Sequence, residues 1–452
     1  MVSRFSLILT VAIPLPSQTP LTLEEAVRRS LENYPSIRFS QEQSNAAAAA
    51  IRLARTAYLP KVDGLAQINR ATRNNVYGML LPQSVIPPIS GPPNPNNDAT
   101  NVWGTAIGFL VSWEPYDFGL RQAQVDAASA ARRSADATLE RTRFEVSVAT
   151  ADAYLTILAA QQTAEAARAA VSRAKVFDQS VGALVNAGLR PGAEGARARA
   201  ELALADTQLI QAEEAIAVAK ASLGQYVGSG VSLQLDPGRL FADAAVLESA
   251  SAAALAHPAL KEQQTQIDES KARQRILGRS YFPKLNGQAA VYARGTGANP
   301  DFTTGGAASG LGPNIHNWGI GFSVSLPIMD YASLRVKKEI ESARERSESA
   351  RYDLYKRELE SRLDKARAQL EGARRVAANL PVQLEAARAA ETQASARYRA
   401  GLGTIPEVAE AQRLLTQTEI DESLARLGVW RALLSVAAAQ GDLQPFLQAA
   451  RR

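Results

Sequence analysis

The chain has 452 residues, of which 50 are basic and 45 acidic, a formal net charge of +5, and it contains no cysteine. This mixed charge, without a basic block, argues against a nucleic-acid-binding protein. The lack of cysteine excludes disulfides, thiolate metal sites and a lipid-modified cysteine in this sequence. Only two histidines are present, so the usual catalytic and metal-binding constellations have almost no members. We therefore expect neither an enzyme nor a cofactor.

The N-terminus carries a weak export signal. Arg4 precedes an apolar run at residues 5–13, but Pro14 and Pro16 occupy the region where a cleavage site is expected. We interpret residues 1–17 as a signal peptide, with a mis-assigned start or a buried strand as alternatives. No later apolar run reaches about 18 residues, so the sequence predicts no transmembrane helix. Crossing a membrane would then require a closed β-barrel.

Two landmarks near the start of the chain recur later in the same order. The sequence YLPKV at residues 58–62 returns as YFPKL at residues 281–285, an offset of 281 − 58 = 223. Pro35 returns as Pro258 at the same offset. Two landmarks that share one offset indicate an internal two-fold repeat. We assign the first copy to residues 21–230 and the second to residues 257–445.

Each copy contains a segment with strict alternation, which is the pattern of a β-strand with two different faces. Along residues 103–113 and 318–326 one face is aromatic or β-branched and the other is small or polar. We expect β-hairpins at about residues 62–115 and 285–328. This pattern fits a membrane barrel, and a soluble sheet that covers its own core is the alternative. The candidate lipid-facing or interfacial residues are Trp103, Ile107, Phe109, Val111, Trp113, Trp318, Ile320, Phe322 and Val324.

Long helical patterns follow each β-hairpin. Apolar residues recur at spacings of three and four, as in a coiled coil, and predict helical hairpins at about residues 119–226 and 333–440. A helix over residues 120–186 would extend about 100 Å, and Pro381 is expected to kink the corresponding helix of the second copy. Helices this long cannot bury themselves in a globule. We therefore expect oligomerisation, and a soluble coiled-coil scaffold is the alternative.

Each helical hairpin turns at a glycine-bearing tip, at residues 184–195 and 398–407. Gly188-Leu189 aligns with Gly401-Leu402 at an offset of 401 − 188 = 213. The smaller offset follows from the unequal lengths of the irregular loops at residues 82–97 and 295–316. Glycine is expected at these tips because the turn needs a positive φ angle.

The remaining segments are short. Residues 231–256, between the copies, break the heptad pattern, and we expect a small strand-and-helix patch there. Residues 446–452 are expected to form a C-terminal tail.

In this duplicated order of helix, YLPKV, β-hairpin, long helix and AGL tip, the chain resembles the TolC-like outer-membrane efflux factors over about residues 21–445. The resemblance implies an α+β membrane protein of three protomers. Each would add four strands to one twelve-stranded outer-membrane β-barrel, and the helical hairpins would form a hollow α-barrel in the periplasm. It further implies a passive exit duct for efflux or type I secretion. A periplasmic adaptor would join this duct to an inner-membrane efflux pump or ABC transporter.

The resemblance also implies functional residues. The adaptor would dock at Gly188, Leu189, Gly401, Leu402, Gly403 and Thr404, although the glycines could serve the turns alone. The family often closes the periplasmic end with a ring of aspartates near the second tip, but residues 390–401 contain no Asp. The candidate aperture charges are therefore Asp178, Glu391, Arg397 and Arg399.

Other classes of protein explain less of the sequence. An enzyme is disfavoured because His257 precedes a proline in a repeated turn motif and His316 lies in a glycine-rich loop without metal-ligand spacing. A scaffold explains the heptads but not the alternating hairpins. A diffusion porin needs many strands in each chain and no long helices.

Overall fold

The computed structural model describes residues 20–72, 100–228, 234–241, 256–299, 301 and 303–451. In these ranges the chain forms eight helices and four strands. The expected signal peptide, the loop at 82–97 and most of the segment at 231–256 lie outside the described residues. The helices are α1 (Leu23–Asn33), α2 (Pro35–Thr56), α3 (Leu120–Asn186), α4 (Gly192–Val227), α5 (Pro258–Arg279), α6 (Tyr331–Arg399), α7 (Ile405–Gln440) and α8 (Gln444–Arg451). The strands are β1 (Lys61–Thr72), β2 (Asn101–Tyr116), β3 (Lys284–Thr296) and β4 (Ile315–Ser325).

The chain divides into two compact units. The first combines residues up to Ser40 with Leu139–Lys261 and Leu354–Arg452, and the second combines Gln41–Thr138 with Glu262–Asp353. The expected α+β class, rich in helix and with four strands, is confirmed.

The strands of the second unit form one antiparallel sheet in the order β1-β2-β3-β4. Phe109 in the middle of β2 is paired with Gly64 of β1 and with Val291 of β3. The ladder between β2 and β3 shifts register between Trp113 and Tyr116. Within the described residues β1 and β4 each pair on one side only, so both outer edges of the sheet are open.

The first unit is organised around a core of leucine, valine and alanine residues from α1, α3, α4, α7 and α8. Further along α3 the packing residues are small: Ala164 and Ala167 meet Ala212 of α4. Small residues let two helices approach closely, and this explains how an alanine-rich heptad can hold a long hairpin together.

Tyr154, fully buried on α3, ties the start of the described chain to the segment that follows α4. Leu21 forms a parallel bridge with Leu235. The Tyr154 hydroxyl lies 2.8 Å from the Leu21 carbonyl oxygen and 2.6 Å from that of Asp236. Burial raises the pKa of Tyr154, so the hydroxyl remains the donor that satisfies these buried carbonyls.

The end of the chain differs from the expected tail, because residues 444–451 form α8. Phe446 of α8 is fully buried, and its ring packs edge-on against Trp430 of α7 with centroids 6.1 Å apart. Burying an aromatic side chain of this size offsets the entropy of ordering a short helix.

The long helices are continuous. α3 has 67 residues and α6 has 69, so each extends roughly 100 Å at 1.5 Å per residue. Pro381, for which the sequence predicts a kink, lies inside α6, which continues on both sides. None of the described helices is both long and apolar enough to cross a bilayer.

His257 is a buried cap at the start of α5. Its Nδ1 accepts a hydrogen bond from the Ala259 backbone N–H at 3.1 Å, so the ring proton lies on Nε2, which donates to the Ala438 carbonyl at 3.1 Å. Phe144 packs edge-on against the ring at 5.5 Å. Position 441, which packs against His257, requires glycine, because a Cβ there would lie 2.8 Å from the His257 Cα.

Burial lowers the pKa of His257 below its usual 6.5. The Ala438 carbonyl and Glu145 act in the opposite direction, whereas Arg362 and Arg141 add to the lowering. A second proton on Nδ1 would also face the Ala259 N–H and break the cap. Because the folded pKa is depressed, this stabilisation is fully present above about pH 6.5 and is lost as the pH falls below it.

We expect acid to destabilise the first unit through His257. Between about pH 8 and pH 5, the urea midpoint of the protein in detergent should fall more than that of His257→Asn. Asn keeps a side-chain acceptor for the Ala259 N–H without a titrating ring. Equal pH dependence of the two urea midpoints would show that His257 does not contribute to the pH dependence of stability.

Candidate functional site

The first tip joins α3 to α4 through a Schellman turn. The Leu189 N–H donates to the Leu184 carbonyl and the Gly188 N–H to the Val185 carbonyl, both at 2.9 Å. Gly188 has φ +74°, the left-handed conformation that this turn needs. No atom lies within 4 Å of a Cβ built on Gly188, so the backbone angle, not space, favours glycine there.

The second tip, between α6 and α7, repeats this geometry. The Leu402 N–H donates to the Arg397 carbonyl at 2.9 Å and the Gly401 N–H to the Tyr398 carbonyl at 3.0 Å, with φ +79° at Gly401. Gly403 is buried, and a Cβ there would lie 3.1 Å from the Tyr398 nitrogen. The aligned sequences AGL therefore build the same backbone turn twice.

Both tips present a leucine to solvent. Leu189 is 71% exposed and Leu402 is 73% exposed, although each follows a glycine in a fixed hydrogen-bonded turn. Thr404 is also exposed and precedes α7 without a side-chain capping bond. The tips thus hold apolar side chains outward on a rigid backbone.

Tyr398 fastens the second tip to the first. Its hydroxyl is 3.0 Å from a Glu194 carboxylate oxygen, and the Arg190 guanidinium lies 4.9 Å from its ring centroid. Phe177 packs against the same ring at 5.4 Å. Burial, together with the hydrogen bond to Glu194, raises the pKa of Tyr398. Sequence spacing cannot reveal this cluster, because Tyr398 and Arg190 are more than two hundred residues apart.

Farther from the tips, a groove of about 670 Å³ runs between α3, α4 and α7. Arg173 of α3 forms a 2.8 Å ion pair with Glu419 of α7, and Arg413 of α7 forms a 2.5 Å pair with Glu201 of α4. The groove walls carry alanine and glutamine side chains between these charges. Charged side chains therefore join the two hairpins across this groove.

Of the candidate aperture charges, Glu391 and Arg399 line one groove together, whereas Asp178 and Arg397 do not line it. Asp178 on α3 is half-buried and has no hydrogen-bond or ion-pair partner in the described part of the chain. Glu391 accepts a hydrogen bond from Ser395 at 2.9 Å. Arg397 is exposed and lies 3.4 Å from the Leu402 carbonyl, and Arg399 lines a smaller groove between α3 and α6.

Glu407 and Glu410 are two further acidic residues, at the end of the second tip and just beyond it. Glu407 occupies the first turn of α7 and Glu410 follows nearly one turn later, and both are exposed. An acidic side chain in the first turn is favoured by the helix dipole. The signal that could have found them is the i, i+3 spacing of two acids immediately after a glycine turn.

In the second unit, the sheet has one apolar and one polar face. The register places Phe109, Val291 and Trp318 side by side across β2, β3 and β4. Trp318 is 76% exposed and Phe322 is 70% exposed. Among the other candidates, Trp103 lies under the Arg70 guanidinium, and the Trp113 indole donates to the Tyr58 carbonyl at 3.1 Å. The residues that the register assigns to this face include Ile107, Val111, Ile320 and Val324.

The opposite face holds small and polar residues around one apolar cluster of Leu65, Leu110, Ala290 and Tyr292. Asn286, Gln288 and Ser323 alternate with the apolar positions of β3 and β4. β2 and β3 come close together at Gly108, because a Cβ there would lie 2.4 Å from the Tyr292 Cβ. The apolar face is therefore the outward one, since it has no covering layer among the described residues.

The sequence matches a known family over most of its length. The family model described as outer membrane efflux protein matches residues 26–229 and 250–442. The chain belongs to the outer membrane efflux protein family. This match confirms the family that the repeated motifs indicated. The protein is located in the outer membrane, with its helical part in the periplasm. No curated protein matches the sequence.

Solved structures of outer-membrane channels share this fold. The Campylobacter jejuni CmeC channel superposes with a TM-score of 0.76 at 16% identity, covering 93% of this chain and 85% of that chain. CusC gives 0.76 at 14% identity, covering 96% and 98%. The open-state MtrE channel of Neisseria gonorrhoeae gives 0.72 at 16% identity, covering 93% and 89%.

Removing the Tyr398 side chain should loosen the second tip. Truncating a buried aromatic residue to Ala costs about 3 kcal/mol, so local opening should rise roughly 100-fold. We expect tryptic cleavage after Arg397 or Arg399 to accelerate accordingly in Tyr398→Ala. The exposed-residue control Leu402→Ala should be cleaved at the rate of the parent protein. Unchanged cleavage of Tyr398→Ala would show that the cluster does not hold the tip.

Proposed function

We propose that this protein is the outer-membrane channel of a tripartite efflux or type I secretion system, assembled from three copies of the chain. The observation that carries the proposal is the sheet of the second unit, with an outward apolar face and two open edges. Membership of the efflux family supports the same conclusion. The channel is a passive duct that performs no chemistry, and a pump or ABC transporter of the inner membrane supplies the energy.

The proposed assembly gives the backbone groups at both edges of the sheet hydrogen-bond partners. Strands alternate in direction from β1 to β4, so β4 of one copy can pair antiparallel with β1 of the next. Three copies give one closed barrel of twelve strands, an even number of antiparallel strands as in bacterial outer-membrane barrels. Closure leaves no edge exposed to lipid.

We propose that the tips dock a periplasmic adaptor protein. Exposed Leu189 and Leu402 are held on pre-formed turns, so binding would lose little conformational entropy. Gly188, Gly401 and Gly403 keep the turns in this shape, and Thr404 lies beside them. A helical hairpin of the adaptor could pack against these two exposed leucines and bury them.

Opening would require the hairpins to separate near the tips. The Tyr398 cluster and the two ion pairs across the groove hold the described arrangement, and an adaptor that binds the separated state better would shift the population toward it. In this proposal the aperture carries mixed charge from Asp178, Glu391, Arg397 and Arg399. Glu407 and Glu410, identified from the structure, add acidic charge there.

The rival function is that of a soluble coiled-coil scaffold without transport activity. It accounts for the long helices but leaves the apolar sheet face and the family match without explanation. The family match gives enzymatic catalysis no support, because the family is one of outer membrane efflux proteins.

Export should depend on the exposed leucines of the tips. We expect Leu402→Lys to reduce export in a strain that lacks other efflux channels, because a charge replaces the apolar anchor. The trimer in detergent should remain intact, since the side chain is exposed. Leu402→Met, which stays apolar, is the matched control and should export normally. Normal export by Leu402→Lys together with Leu189→Lys would remove the tips from the docking role.

A further inference from the structure

The junction between β4 and α6 exposes an apolar surface beside the lipid-facing side of the sheet. Met329 is 91% exposed and Ile328 is 72% exposed, and Leu326 and Tyr331 are also exposed. Leu326 continues the alternation of the apolar face of β4, Ile328 and Met329 follow it in the connection to α6, and Tyr331 begins α6. Because the helical part lies in the periplasm, this end of the sheet faces the periplasmic leaflet of the outer membrane.

Basic side chains lie next to this apolar surface without counter-ions. They are Arg335, Lys337 and Lys338 in the second turn of α6. All three are exposed, and none has a hydrogen-bond or ion-pair partner in the ranges that the structure describes. The acidic residues nearby, Asp330 and Glu339, form no ion pair with them within those ranges.

The corresponding junction of the first copy is built differently. At the 213-residue offset, Arg335, Lys337 and Lys338 align with Gln122, Gln124 and Val125. The single basic residue of that segment, Arg121, forms a 3.0 Å ion pair with Asp117 in which both side chains are 8% exposed. The unpaired positive charge is therefore a property of the second junction and not of the repeated fold.

Burial alone would raise the pKa of Asp117, but hydrogen bonds from the Arg121 backbone and side chain and from the Gly119 N–H hold it below its usual value. The first junction thus supplies its own counter-ion. This internal ion pair leaves no net charge for an external anion, in contrast to the second junction.

We propose that the basic surface of Arg335, Lys337 and Lys338 binds the phosphate headgroups of anionic phospholipids in the periplasmic leaflet. The apolar residues at 326–331 would contact the acyl chains, and the basic side chains would reach the phosphates. A lysine or arginine near an anionic membrane surface gains about 1 kcal/mol, or roughly fivefold in affinity per residue. The proposal rests on the outer-membrane location and is independent of the efflux function.

The test replaces the basic residues of the second junction with the residues found at the aligned positions of the first junction. The variant Arg335→Gln, Lys337→Gln, Lys338→Val introduces the residues of the aligned positions, which the same fold already accepts. Purified protein in mixed micelles with phosphatidylglycerol or phosphatidylcholine is examined by native mass spectrometry and by thermal unfolding. The parent protein should retain more phosphatidylglycerol than phosphatidylcholine and unfold at a higher temperature with phosphatidylglycerol.

The triple variant should lose this difference, whereas Arg388→Gln, Arg397→Gln, Arg399→Gln, which removes three exposed arginines near the second tip, should keep it. Inorganic phosphate at the same concentration should not reproduce the effect. An undiminished preference for phosphatidylglycerol in the junction variant would overturn the proposal. Loss of the oligomer in both lipids alike would also overturn it, because the surface would then be a contact between copies. Export by the variant is measured separately and tests only the proposed function.

Discussion

Backbone N–H and C=O groups that face hydrocarbon must be hydrogen-bonded, because no water is available there and each unpaired group costs several kcal/mol. The described sheet meets this requirement between its strands but not along the outer edges of β1 and β4. Four strands are too few to close on themselves. The same chain must therefore obtain edge partners from other copies if it is to remain in the outer membrane. We propose the trimer as the arrangement that satisfies this constraint.

The long helices also need partners beyond their own chain. The helices of 67 and 69 residues leave large apolar side chains exposed in a single chain, such as Val176 and Leu354. Ala164 and Ala167 pack against Ala212 within the first hairpin, and the apolar core of the first unit contains residues of both hairpins, from α3, α4 and α7. Along the groove, ion pairs join α7 to α3 and α4, and the Tyr398 cluster joins the two tips. Separate polar contacts can be broken one at a time, so we propose that opening begins at the tip end of the hairpins.

Local patterns in the sequence were sufficient for the elements but not for the contacts between distant residues. Alternation identified β2 and β4, and the paired AGL motifs identified two turns with positive φ at Gly188 and Gly401. The Tyr398–Glu194 contact, the Leu21–Leu235 bridge and the packing of Phe446 on Trp430 were not predictable. Each of these joins residues with no shared periodicity. Glu407 and Glu410 follow the second glycine turn, whereas the aperture charges predicted at this tip, Glu391, Arg397 and Arg399, precede it.

The central claim is that the open edges of the sheet are closed by other copies of the chain. The most direct test is the structure and mass of the detergent-purified protein, determined by electron cryomicroscopy and native mass spectrometry. The account predicts three chains around one closed barrel of twelve strands, with β4 of each chain hydrogen-bonded to β1 of the next. A monomer with free strand edges, or an assembly in which β1 and β4 do not meet, would contradict it.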